Sequence, residues 1–148
     1  MVLERNIKNV ECPIRRVLGW MDSVADTPQE PAETMSHDIF PCVAYNGDVV
    51  LLSPEFLLSE TGSYRTFAVG NVLRESLKQI INRGKNSTYV SDFTEGVREC
   101  AVTCDYFDCC RGGQASNKFF ELGTTKGTET TYCKNSEQRL VRAILNNI

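Results

Sequence analysis

Apolar positions along the chain recur mostly at the three-and-four spacing of helices, with one hairpin-like alternation and one long stretch that follows neither period. Pro13 opens the first helical stretch, in which Ile14, Val17, Leu18, Met21 and Val24 share a face. Residues 26–38 then hold two prolines, several acids and almost no large apolar side chain, which predicts a surface linker. The lone His37 within it has no cysteine or carboxylate at ligand spacing and reads as a solvated loop residue. Residues 39–45 and 48–53 flank Asn46-Gly47, a pair suited to a two-residue type I′ turn, so a β-hairpin is expected. A turn or single helical turn follows over 54–58, then a loop over 59–64.

Asn71 reads as the N-cap of a helix over 72–82, whose Val72, Leu73, Leu77, Ile80 and Ile81 form a stripe ending near Gly84. Asp92 with Glu95 resembles a capping box, which predicts a short helix from Phe93 to about Ala101 with Cys100 near its end. From Thr103 to Cys133 no periodicity is visible, and Gly, Thr and Cys dominate. Asn135 or Ser136 then caps a closing helix over 137–145, with Leu140, Val141, Ile144 and Leu145 on one face. The fold class expected is α+β: a small β-hairpin plus short helices around an irregular Cys-rich segment. The organisation expected is a connecting helix over 1–25, a linker over 26–38 and one domain over 39–148.

With 148 residues the chain can bury a core without disulfides, but it is too short for a (β/α)8 barrel of ~250 residues. The 16 Lys plus Arg are interspersed among 19 Asp plus Glu, for a net charge of −3, and no basic stripe marks a nucleic-acid surface. The first residues lack an apolar signal region, and no window approaches the ~18 apolar residues of a membrane span. A cytoplasmic protein is expected. Its seven cysteines are then metal ligands or buried thiols rather than disulfides. Asn86-Ser87-Thr88 spells a glycosylation sequon, which carries no weight without a signal peptide.

Four cysteines form a spaced set in or beside the aperiodic stretch: Cys100, Cys104, Cys110 and Cys133. Thiolates select zinc or iron-sulfur clusters. Zinc sites favour two tight C-x2-C pairs, whereas this set has three cysteines over eleven positions and one far along the chain, which favours a cubane. Gly112 and Gly113 follow Cys110, where backbone without a Cβ can approach a bulky group and offer it N–H donors. Cys12 and Cys42 read as packed thiols, and Cys109 as either a substitute ligand or a packed one.

The run from Cys100 through Cys104, Tyr106-Phe107, Cys110, Gly112-Gly113, Ser116-Asn117-Lys118-Phe119-Phe120-Glu121 and Gly123 to Thr128-Glu129-Thr130 and Tyr132-Cys133 resembles the C-terminal SPASM-type domain of radical SAM peptide maturases. The branch it is similar to modifies glycine-rich-repeat precursors and forms cyclophane crosslinks. Gly47-Asp48, Ser53-Pro54-Glu55, Tyr64, Phe67 and Gly70-Asn71-Val72 also resemble that branch, so the likeness runs from about Ile14 to Leu145. It implies that Cys100, Cys104, Cys110 and Cys133 bind one auxiliary [4Fe-4S] cluster. Gln114 stands where two-cluster relatives carry another cysteine, and Arg111 stands where the family has glycine, beside the cluster. Asn117, Lys118 and Glu121 are the polar candidates for supporting the cluster or touching substrate. Ser53, Pro54 and Glu55 lean toward a structural role.

Radical SAM cores hold their catalytic cluster with C-x3-C-x2-C, and no such spacing occurs here. The resemblance therefore implies a domain that does not cleave SAM alone: a fragment, a split subunit or a remnant, with a radical SAM core and a precursor peptide as partners. Two alternatives stay open at this point, a zinc-stapled interaction module without redox chemistry and a metal-free adaptor with packed thiols.

Overall fold

A computed structural model describes residues 39–57, 59 and 62–146. The helix expected within 1–25, the linker over 26–38, His37 and Cys12 lie outside the described residues. Strands β1 (Pro41–Val43), β2 (Asp48–Leu51) and β3 (Gly70–Asn71) form an antiparallel sheet in that order, with Cys42 opposite Val50 and Asp48 opposite Asn71. The fold is α+β. Val49, Val50 and Leu51 are all buried, so the central strand is covered on both faces instead of alternating between core and solvent.

The hairpin is present, but its turn is not type I′. Gly47 alone has positive φ (87°), and Gly47 N–H donates to the Ala44 carbonyl, so four residues make the connection. Type I′ would need positive φ at Asn46 as well. The polar side chains lock this turn to the third strand: Asn71 Nδ2 donates to the Asn46 carbonyl at 3.0 Å and to Asp48 Oδ1 at 2.9 Å. Asn71 is therefore a sheet and turn residue rather than a helix cap. The helix expected there, α1 (Leu77–Gly84), begins later, where Ser76 and Gln79 form a capping box.

Helix α2 (Thr88–Thr103) is longer than the capping-box reading of Asp92 and Glu95 predicts. Tyr89, Val90, Phe93, Val97 and Cys100 are its buried face, and the first two extend the helical stripe upstream of Phe93. Asp92 lies a turn inside the helix, where its carboxylate accepts a hydrogen bond from Tyr64 Oη at 2.8 Å.

A single 3-10 turn, Pro54–Leu57, drops Phe56 into an aromatic cluster. Phe67 stacks on Phe56 at 4.3 Å and meets the ring edges of Tyr89 at 5.2 Å and Phe119 at 4.9 Å. Tyr89 is buried, which pushes its phenol up to about 12, and its hydroxyl accepts the Leu51 N–H at 2.9 Å. This cluster joins the sheet, α2 and the helix that carries Phe119.

The expectation of an aperiodic 103–133 is overturned in part. Two short helices form within it, α3 (Phe107–Cys110) and α4 (Ala115–Leu122). The loop after α4 is held by buried hydroxyls in place of apolar contacts. Thr125 is fully buried, its N–H donating to Tyr64 Oη at 2.9 Å and its hydroxyl to the Tyr89 carbonyl at 2.6 Å.

The closing helix also starts earlier than predicted. Residues 131–132 are helical, Cys133–Gln138 form a π-helical turn, and α5 (Arg139–Leu145) continues from it, so Asn135 and Ser136 are interior positions. The cap comes from elsewhere: Glu121 accepts the N–H groups of Thr131 at 2.5 Å and Tyr132 at 3.0 Å, and Thr130 Oγ1 accepts the Cys133 N–H at 2.9 Å. Those backbone donors hold the Glu121 carboxyl below its usual range. No helix among the described residues is long and apolar enough to cross a membrane.

Candidate functional site

The C-terminal half of α2 supplies the first two thiols. Three intervening residues put Cys100 and Cys104 one turn apart on the same face, and Cys104 is the residue at which the helix ends, in an extended conformation. The chain reverses through α3, which carries Cys110, and Arg111 closes α3 in the left-handed conformation at φ 53°. Gly112 and Gly113 follow, both with positive φ; the Gly113 N–H donates to the Cys110 carbonyl at 3.2 Å, and both backbone N–H groups act against the burial that pushes the Cys110 thiol up. Helix α4 then passes beneath the site, and the π-helical turn brings in Cys133 from the far side. Single π-helical turns concentrate at functional positions.

The four cysteines chosen by spacing all line one pocket of about 340 Å³, together with Gly112, Gly113, Asn117 and Lys118. Cys42 and Cys109 do not line it. Cys42, in β1, packs in the core, as the sequence predicts. None of the six described cysteines is in a disulfide.

Burial dominates the electrostatics. It pushes the thiols of Cys100 and Cys110 up and that of Cys133 up to about 11, and the neighbouring cysteines push the same way once charged. Lys118 is 2% exposed, and its Nζ has no hydrogen-bond partner among the described residues. Its ammonium lies 5.2 Å from the centre of the Phe93 ring, a cation–π contact. Burial drives its pKa down, while Cys100, Cys110 and Cys133, in that order, act to hold the proton on.

The remaining candidates divide cleanly. Asn117 lines the pocket, and so does Gln114. Glu121 does not, because its carboxylate caps the helix that carries Cys133 and so positions that thiol from outside. Arg111 is not among the lining residues, and its guanidinium carbon sits 6.0 Å from the centre of the Phe107 ring. Ser53 Oγ donates to the Glu55 carboxylate within the 3-10 turn, remote from the pocket, in keeping with a structural role.

Sequence reasoning missed the rim. Gln138 Nε2 donates to Glu129 Oε1 at 2.7 Å and reaches Cys133 Sγ at 3.8 Å, and Arg142 Nε donates to Tyr106 Oη at 2.5 Å. The last of these ties the closing helix to the segment between Cys104 and Cys110. Among the described residues, no group of three or more His, Cys, Asp and Glu side chains is drawn together to hold a metal ion.

No family model and no solved structure matches this chain. Among curated proteins it is similar to the uncharacterized protein sll1766 of Synechocystis sp., 37% identical over 103 residues. The match covers 70% of this chain but only 26% of that protein.

Proposed function

We propose that this chain is an auxiliary [4Fe-4S]-binding domain, SPASM-like in fold, that works with a radical SAM core in maturing a ribosomal peptide by crosslinking. The observation that carries the reading is the sorting of the cysteines: the four selected by spacing and resemblance surround one pocket, and Cys42 and Cys109 stay out of it. A zinc ion needs four ligands about 2.3 Å from one centre. A cubane takes each thiolate on a different iron, and four cysteines lining one pocket are the ligand set it needs. The backbone N–H groups of Gly112 and Gly113 and the buried ammonium of Lys118 suit an anionic occupant. When bound, such a cluster supplies a one-electron redox centre and a fixed anchor for peptide or electron relay.

The SAM-cleaving barrel, the precursor peptide and the cytoplasmic setting belong to the same proposal. A relative in which the matching segment is 26% of a longer protein is in keeping with a domain that operates inside a larger enzyme.

Anaerobic reconstitution with ferrous iron and sulfide tests the site. Wild-type protein and Cys109→Ala are expected to turn brown with broad visible absorbance, while Cys104→Ala and Cys133→Ala lose most of it. Equal colour in all four proteins, or none in the wild type, would refute the assignment. Metal loss is also expected to loosen residues 100–133, since binding energy at such a site is folding energy. Limited proteolysis with and without chelator reads that directly.

A further inference from the structure

Lys118 is the one buried side chain among the described residues whose polar atom has no hydrogen-bond partner. It belongs to the pocket lining, on the helix that passes beneath the cysteines. A buried ammonium without a counter-charge costs several kcal/mol in real proteins, and leaving one unpartnered is strongly destabilising. The Phe93 ring offsets part of that cost, as a neutral partner only. Once charged, Cys100, Cys110 and Cys133 act on Lys118 ahead of the Glu99 carboxylate. As thiols they offer no charge; as metal-bound thiolates they offer several.

Resting on the cluster reading above, we propose that Lys118 is the internal counter-cation of the four-thiolate site, holding the site's negative charge and so fixing how readily a bound cluster accepts an electron. A tetrathiolate [4Fe-4S] centre carries net negative charge that grows on reduction, and net charge near a cluster is one of the levers on its potential. A buried ammonium is screened less than an exposed one, so its charge is felt more strongly at the site. The role is one of positioning charge, since Lys118 need not ligate iron.

The test uses the full chain reconstituted anaerobically with ferrous iron and sulfide, as wild type, Lys118→Met and Lys118→Arg. The readouts are the midpoint of a mediated redox titration, the rate of iron loss to a chelator and far-UV circular dichroism. In Lys118→Met the ratio of reduced to oxidised cluster at a given potential is expected to fall at least tenfold, a 59 mV drop for one electron, with faster iron loss. Lys118→Arg is expected to stay closer to wild type on both. Loss of the cluster in Lys118→Met alone, with unchanged circular dichroism, also supports the role. A Lys118→Met protein with wild-type potential and iron retention overturns it, as does cluster loss in both variants. If the wild type takes zinc instead, the cluster reading fails, yet the counter-cation role still predicts at least tenfold weaker zinc binding in Lys118→Met. Wild-type protein that takes neither metal overturns both.

Discussion

Gly96→Ala is expected to lower stability by about 2–3 kcal/mol and to reduce iron uptake, although alanine favours a helix interior by roughly 1 kcal/mol over glycine. A Cβ at position 96 would stand 2.1 Å from the Lys126 carbonyl oxygen and 2.6 Å from its carbonyl carbon. Backbone atoms cannot swing aside as a flexible side chain can, so the loop after α4 or the helix α2 must shift. Thr125 in that loop is pinned to Tyr64 and Tyr89, which resists the shift, and Thr128 further along accepts from Cys100 Sγ at 3.5 Å. Movement of the loop therefore reaches the pocket wall. Urea unfolding of the metal-free protein and iron uptake under anaerobic conditions measure the two effects. Wild-type values in both would show that the contact between α2 and the loop does not position the site.

Phe67→Ala is expected to cost about 3–5 kcal/mol, the range for truncating a buried aromatic. Phe67 is 1% exposed and joins three elements at once, stacking on Phe56 of the 3-10 turn and meeting Tyr89 of α2 and Phe119 of α4. Phe119 is the neighbour of Lys118, so the ring also braces the helix beneath the cysteines. Phe67→Leu keeps most of the volume and is expected to lose less than half as much. Denaturant titration of the two variants checks the ordering; equal small losses would mean that the cluster repacks around the gap.

The hairpin, a helix ending at Gly84 and the existence of a closing helix were legible because each rests on apolar periodicity or turn chemistry within a short window. Of the stripe predicted for α1, however, only Ile80 is buried, and Leu73 and Leu77 are exposed. The boundaries were less legible. Asn71 and Asp92 both have the chemistry of caps, and both are used in tertiary contacts, Asn71 on the hairpin turn and Asp92 on Tyr64. A local motif cannot reveal that a distant partner has claimed the side chain. Helices α3 and α4 were hidden because α3 is one turn long and α4 mixes its buried Phe119 with buried Ser116 and Lys118. The cap on the helix bearing Cys133 was invisible for the same reason, since Glu121 lies ten residues before Thr131.

The site was more legible than the fold around it. Cysteine spacing singled out the four thiols that line the pocket, and the glycine pair lines it with them. What sequence could not convey was burial: a lysine in a polar run reads as solvated, and nothing in its neighbours tells that Lys118 is enclosed without a hydrogen-bond partner. Arg111, named for its place beside Cys110, has its guanidinium over the Phe107 ring.

The measurement that bears most directly on the central claim is quantitation of iron, acid-labile sulfide and zinc in protein purified without exposure to air. About four irons and four sulfides per chain, with negligible zinc, is the result predicted for one cubane on Cys100, Cys104, Cys110 and Cys133. One zinc per chain, or no metal at all, would contradict it.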